Sequence, residues 1–217
     1  DMSSGLPMLA LMGPKSRALL QAASPADFSN EAFPFGTSKE IDLGYARVRA
    51  SRVTFVGELG WEIYMPAEFA AHVFDRLTEA GEPFGLRHGG FFALNSLRME
   101  KGYRHWGHDI GEEDTPIQAG LSFAVAYDKP GGFIGRDALL KQKELGVPNR
   151  RLVQFALTEA DAPLLYHQEP IWRGNKIIGS ITSGAYGHRI GASLGMGYVE
   201  NDGGVDDAYL SALPLEI

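Results

Sequence analysis

The chain has no cysteine among its 217 residues. That absence excludes a disulfide framework, a thiolate nucleophile and any zinc or iron–sulfur site held by cysteine. Positive charge is also short: 20 Lys+Arg stand against 27 Asp+Glu, a formal balance of −7. The basic residues are scattered rather than gathered in a stripe, which argues against nucleic acid as a partner. Long apolar runs are missing too. The longest are strand-like pieces such as Leu9-Ala10-Leu11-Met12, and no basic segment followed by an apolar stretch opens the chain. Neither a signal peptide nor a membrane span is expected. No Gly-x-Gly-x-x-Gly motif occurs. Gly131-Gly132-Phe133-Ile134-Gly135-Arg136 lacks the Lys-Ser/Thr ending of a phosphate-cradling loop, and Gly191-Ala192-Ser193-Leu194-Gly195-Met196-Gly197 runs into a strand pattern. Both read as turns and close-packed strand positions, with no nucleotide fingerprint. What is present, 44% hydrophobic residues with 11% aromatics, suffices for the packed cores of a soluble globular protein.

Met8 to Met12 reads as a buried strand, and Gly13-Pro14 leads into a helix at Lys15-Ser16-Arg17-Ala18-Leu19-Leu20. After a polar loop containing Pro and Phe, the loose alternation from Ile41 to Phe55 predicts one or two strands. Gly57-Glu58-Leu59-Gly60 reads as a hairpin connection and Trp61 to Met65 as the returning strand. Phe69, Val73, Phe74 and Leu77 then mark the apolar face of a helix that Gly81 ends. Gly90 to Gly102 reads as a further helix, with Phe91, Leu94, Leu97 and Arg98 on or beside one face. This order predicts an α+β layer. Phe133 to Glu144 reads as the entry and body of a charged linker helix. From Arg151 onward, short strand candidates separated by Gly, Asn and Asp turns predict a small antiparallel barrel or sandwich. The expected organisation is residues 1–127 as one domain, with 128–217 holding the linker helix and the second.

Two constellations could carry chemistry. On a strand, Glu62 and Tyr64 point to one face and Trp61 and Ile63 to the other, so a carboxylate is offered beside aromatic surface. That suits a flat heterocycle with exocyclic N–H donors, although glutamates on an exposed hairpin have the same pattern. Ser96 through Asp109 forms the second. Arg98 near a helix end can clamp a carboxylate or carbonyl, and Trp106 offers a stacking plane. A structural ion pair of Arg98 with Glu62 or Glu100 is the competing reading. His105, His108 and Asp109 have a spacing that a metal could use, but they fall in an expected loop without the helical repeat of a two-histidine zinc motif, and no metal is expected.

Leu9 through Arg17, Gly57 through Tyr64, Ser96 through Trp106, Phe133 through Arg136 and Thr182 through Gly187, in that order, resemble the glycine-cleavage T-protein (aminomethyltransferase) superfamily. The Gly57-Glu58-Leu59-Gly60-Trp61-Glu62 and Glu100-Lys101-Gly102-Tyr103-Arg104-His105-Trp106 tags resemble the folate domain of sarcosine and dimethylglycine dehydrogenases more than free T-proteins. The resemblance implies a ferredoxin-like, T-protein-type α+β region followed by a small antiparallel β-barrel. It also implies tetrahydrofolate as cofactor, methylene transfer to give 5,10-methylene-tetrahydrofolate, and an N-terminal FAD domain of the same polypeptide as partner. By position, Glu62 matches the glutamate that pairs with the pterin, and Arg98 an arginine of the same pocket. Phe55 stands where a folate-packing tyrosine is frequent, and Trp106 where many T-proteins have a tyrosine near the pterin. The family's catalytic aspartate lies upstream of the first matched strand and Asp1 is no substitute, so the expectation is a folate-binding piece of a longer polypeptide with no catalytic residue of its own. The implied compartment is the cytoplasm, or the mitochondrial matrix in a eukaryote. A free aminomethyltransferase, a folate-dependent demethylase and a non-catalytic folate-binding module are the alternatives.

Overall fold

The computed structural model describes residues 1–159, 161–212 and 214–217. Packing divides the chain into two compact units, Asp1–Leu94 and Asn95–Ile217. The first contains β1 (Met8–Met12), α1 (Ser16–Ala23), β2 (Ser38–Leu43), β3 (Ala46–Ser51), β4 (Gly60–Tyr64) and α2 (Ala70–Gly81). The division falls within α3 (Phe91–Glu100). All neighbours in the first sheet are antiparallel, in the order β1-β4-β3-β2.

Strand period 2 explains the layering of this unit. Ala46, Val48 and Ala50 alternate with exposed Arg47 and Arg49 on β3, and Trp61 and Ile63 are buried beside half-buried Glu62 and Tyr64 on β4. The buried set packs with Leu19 and Leu20 of α1 and with Val73 and Leu77 of α2. Such a one-sided sheet leaves a charged second face. The alternation expected between Ile41 and Phe55 resolves into β2 and β3, joined through Gly44 at φ 60°. The connection before β4 is a longer irregular segment than the short hairpin expected. The polar loop after α1 also contributes core: Phe28 and Phe33 are fully buried and meet Trp61 edge-on at 5.5 and 6.0 Å.

Two helical expectations are corrected. Phe74 lies one step off the buried stripe of α2, is 42% exposed, and packs on His88 with ring centroids 4.9 Å apart. On α3 the expected face is buried only in part, at Arg98 and half-buried Leu94. Phe91 and Leu97 are exposed, whereas Arg98 and Met99 are buried. Met99 has a hydrophobic cluster to enter, and Arg98 has polar partners that make its burial tolerable.

The second unit continues with α4 (Arg136–Glu144), β5 (Arg150–Ala156), β6 (Pro170–Arg173), β7 (Lys176–Gly187), β8 (Ala192–Glu200) and α5 (Asp207–Ser211), which Asp206 caps by accepting the Tyr209 N–H at 2.6 Å. Its antiparallel sheet runs β5-β8-β7-β6, and among the described residues no pairing closes it into a barrel. β8 is buried on both faces. Leu194, Met196 and Tyr198 join Met99 and Leu152 in one cluster, while Val199 joins Ile171, Ile178 and Ile181 in another. Gly197 permits the tight strand approach, since a Cβ there would lie 2.4 Å from the Ser180 carbonyl oxygen. β7 is one long strand with an irregularity between Ile181 and Ser183. No helix among the described residues is long and apolar enough to cross a membrane.

Candidate functional site

Phe55 and Glu62 belong to the first unit, Arg98 and Trp106 to the second. Glu62 stands on the charged face of the first sheet, between exposed Ala10 on β1 and Ser51 on β3. Glu62 is half-buried there. Its Oε2 accepts the Tyr64 hydroxyl at 2.6 Å. That hydrogen bond, then partial burial and the Glu62 charge, push the Tyr64 phenol up to about 12. Tyr64 therefore remains a neutral donor at ordinary pH and fixes the carboxylate rotamer. It also lines a cavity of about 380 Å³ with Arg47, Arg49 and Glu40. Phe55 is half-buried in the segment before β4, next to buried Val56.

In the second unit, Arg98 is 1% exposed and Asp109 0%. Arg98 Nη1 donates to Asp109 Oδ2 at 2.5 Å and to the Tyr103 carbonyl at 3.0 Å, and its Nε donates to Asn95 Oδ1 at 2.7 Å. Those bonds occupy Nε and Nη1, and among the described residues Nη2 has no hydrogen-bond partner. The ion pair that forms uses a partner the sequence reading did not weigh for Arg98, and Glu100 instead accepts the Arg189 N–H at 2.8 Å. Asp109 also accepts the His105 N–H on Oδ2 at 2.8 Å and the Thr182 hydroxyl on Oδ1 at 2.6 Å. The carboxylate thus ties α3, the 103–110 loop and β7 together.

The loop turns tightly, with Gly107 N–H donating to the Ile110 carbonyl at 2.8 Å, and presents Trp106 at 68% exposure. His105 and His108 stack with ring centroids 4.6 Å apart, and His167 stands edge-on to His108 at 6.4 Å. Among the described residues no group of three or more His, Asp or Glu is arranged to hold a metal ion. Asp109 is engaged by Arg98. Burial chiefly lowers the His105 pKa, with the neighbouring His108 and Arg98 adding to the effect against Asp109. Arg104 is likewise lowered by burial, against the carboxylate of Asp109 and the phenol of Tyr198.

Sequence reasoning singled out Glu62, Arg98 and Trp106 but missed what holds them. Tyr64 was legible from period-2 alternation as sharing the Glu62 face. Asp109 was considered only with the histidines, and nothing in the local pattern of Thr182 signals a partner 73 residues away.

Comparison with known proteins gives concordant results. The GCVT N-terminal domain family model matches residues 1–129, and the glycine cleavage T-protein C-terminal barrel domain model matches residues 150–211. The chain is 47% identical over 204 residues to 4-methylaminobutanoate oxidase (formaldehyde-forming) of Paenarthrobacter nicotinovorans, covering 93% of this chain and 24% of that protein. It is 41% identical over 204 residues to human mitochondrial sarcosine dehydrogenase, covering 94% and 22%. It therefore spans about a quarter of the length of these curated relatives. Among solved structures, glycine cleavage system aminomethyltransferase T from Bartonella henselae superimposes with a TM-score of 0.74 at 28% identity, covering 90% of this chain and 52% of that one.

Proposed function

Because the chain belongs to the glycine cleavage T-protein family, we propose that it is the tetrahydrofolate-binding portion of an FAD-dependent amine dehydrogenase of the sarcosine and dimethylglycine type, moving a one-carbon methylene unit to tetrahydrofolate. The observation that carries this reading is the Glu62–Tyr64 pair on the charged face of the first sheet. A carboxylate offers about four lone-pair positions, and Tyr64 takes one. The others can accept the paired N–H groups of a pterin edge. The donor set fits the ligand, because a fixed carboxylate is what such an edge requires.

In this reading Phe55 of the first unit offers a ring face, and the second unit offers the Trp106 plane for stacking and the Arg98 guanidinium as a donor to an acceptor of the ligand. Arg98 is closed off from solvent, so that last contact requires a local opening of its surroundings. Bound tetrahydrofolate supplies the nucleophilic nitrogens that capture the one-carbon unit. The contribution of the chain's own residues is to fix the ring plane and keep those nitrogens where the electrophile arrives, which raises effective concentration. Tyr64 contributes by remaining protonated and holding Glu62 still.

Oxidation of the amine belongs, in this reading, to an N-terminal FAD domain of the same polypeptide, whose position is cytoplasmic or, in a eukaryote, in the mitochondrial matrix. The length of the two curated relatives supports that arrangement. Residues 1–127 then form the folate-binding domain and 128–217 the linker helix and C-terminal domain. Calorimetric titration of the chain with reduced folate, beside Glu62→Gln, tests the reading. Binding that weakens at least tenfold in the variant supports it, since a lost hydrogen bond to a charged group is worth about 1.5–3 kcal/mol. Equal binding by both chains removes Glu62 from the site.

A further inference from the structure

We infer that Thr182 and Asp109 are positioning residues within the second unit, fixing Arg98 and the loop that presents Trp106, the two groups this unit offers to reduced folate. The inference deepens the reading above and rests on it.

Its first support is a break in the β7 ladder. Ile181 pairs with Gly197 and Ser183 with Met196, so β7 advances two residues where β8 advances one. Thr182 is the extra residue, and a bulge of this kind re-aims one side chain at the expense of local pairing. What the re-aimed side chain reaches is Asp109 Oδ1, at 2.6 Å. The Met196 carbonyl is also near the hydroxyl, at 3.0 Å. A hydroxyl has one proton to donate, and the shorter contact to the charged acceptor is the stronger one.

The second support is that both oxygens of Asp109 are occupied. Oδ1 holds the Thr182 hydroxyl, while Oδ2 holds Arg98 Nη1 and the His105 N–H. Removing the Thr182 bond frees the carboxylate to turn about its terminal torsion. The Arg98 fork and the backbone at His105 must then follow. Arg98 is held on its other side by Asn95 and the Tyr103 carbonyl. One of the three acceptors that fix the guanidinium is therefore itself anchored from a strand far away in sequence. Burial makes the arrangement stiff, because an unsatisfied partner inside the unit has no water to replace it.

The test uses the full chain with three substitutions, Thr182→Val, Thr182→Ser and Arg98→Lys, and two measurements. The first is amide hydrogen exchange across residues 103–110 without ligand. The second is titration with 5-formyltetrahydrofolate, a reduced folate that tolerates air. Valine keeps the shape of threonine and loses the hydroxyl, so exchange at the His105 amide should rise, and folate affinity fall, about tenfold. Serine should restore both to near the original values. In the Arg98→Lys background, Thr182→Val should cause no further loss of affinity, because the effect travels through the guanidinium.

Unchanged exchange at His105 in Thr182→Val overturns the positioning role. Valine and serine variants that behave alike overturn it too, as does a full additional loss in the Arg98→Lys background. An unsubstituted chain that binds no reduced folate overturns the proposed function instead, and hydrogen exchange still decides whether Thr182 orders the loop.

Discussion

Replacing Asp109 with alanine leaves a guanidinium that is 1% exposed without its counter-charge. The His105 N–H loses its acceptor in the same step, and the Thr182 hydroxyl is left with the Met196 carbonyl at 3.0 Å. Arg98 keeps Asn95 and the Tyr103 carbonyl, which satisfy hydrogen bonds but carry no charge. Breaking a buried pair from one side costs about 3–5 kcal/mol, and most of that is the isolated charge left behind. For a unit of this size each kcal/mol lowers Tm by about 3–5 °C, so Asp109→Ala should melt about 10–20 °C earlier. The appropriate assay is urea unfolding followed by hydrogen exchange of the β8 amides, which reports the second unit alone. A paired replacement, Arg98→Met with Asp109→Leu, removes both charges and should recover most of the loss. An Asp109→Ala chain within about 1 kcal/mol of the original would refute the reasoning, because no buried charge of that kind can be left isolated so cheaply. A double variant no more stable than the single would refute it as well, since the penalty would then lie in packing.

What the sequence made legible follows from how local each determinant is. The alternation of Ala46, Val48 and Ala50 with arginines specifies a one-sided strand without reference to anything distant. The shared face of Glu62 and Tyr64 follows from the same period and was readable in advance. The burial of Phe28 and Phe33 was not, since they sit in a segment of loop composition and their cavity exists only when β4 brings Trp61 opposite them. The α3 error has the same origin. Helical spacing groups Phe91, Leu94 and Leu97, but which side is buried depends on the cluster that receives Met99. The Thr182 bulge is a mismatch of register between two strands, and a mismatch has no signature in either strand by itself. Hence Glu62, Arg98 and Trp106 could be singled out as candidates from local pattern, and the Asp109 and Thr182 contacts that hold Arg98 could not.

Further expectations follow from the packing and the charges. Phe33→Ala should destabilise the first unit by about 3–5 kcal/mol in urea unfolding, because it empties a fully buried ring site against Trp61. Gly197→Ala should destabilise the second unit by about 1–3 kcal/mol, since its Cβ would lie 2.4 Å from the Ser180 carbonyl oxygen; an unchanged unfolding midpoint would mean that the strands can separate without loss. The Tyr64 phenol, raised to about 12 from 10.0 with Glu62 as the leading cause, should titrate closer to 10.0 in Glu62→Gln when followed by NMR of the labelled ring. Its raised pKa stabilises the fold fully below pH 10.0, and that contribution is lost as pH rises from there through about 12. His105 runs in the opposite direction. Its folded-state pKa is depressed below 6.5, chiefly by burial, so the unfolded chain takes up the proton first as pH falls. Stability should therefore be unaffected by this group above 6.5 and should decline below it, with protonation of the ring bringing positive charge toward His108 and Arg98. Melting temperatures between pH 7 and pH 5, compared with His105→Gln, isolate the effect. A decline of equal slope in both chains would assign the acid sensitivity to other groups, whereas a shallower slope in the variant identifies His105 as the group that weakens the Trp106 loop in acid.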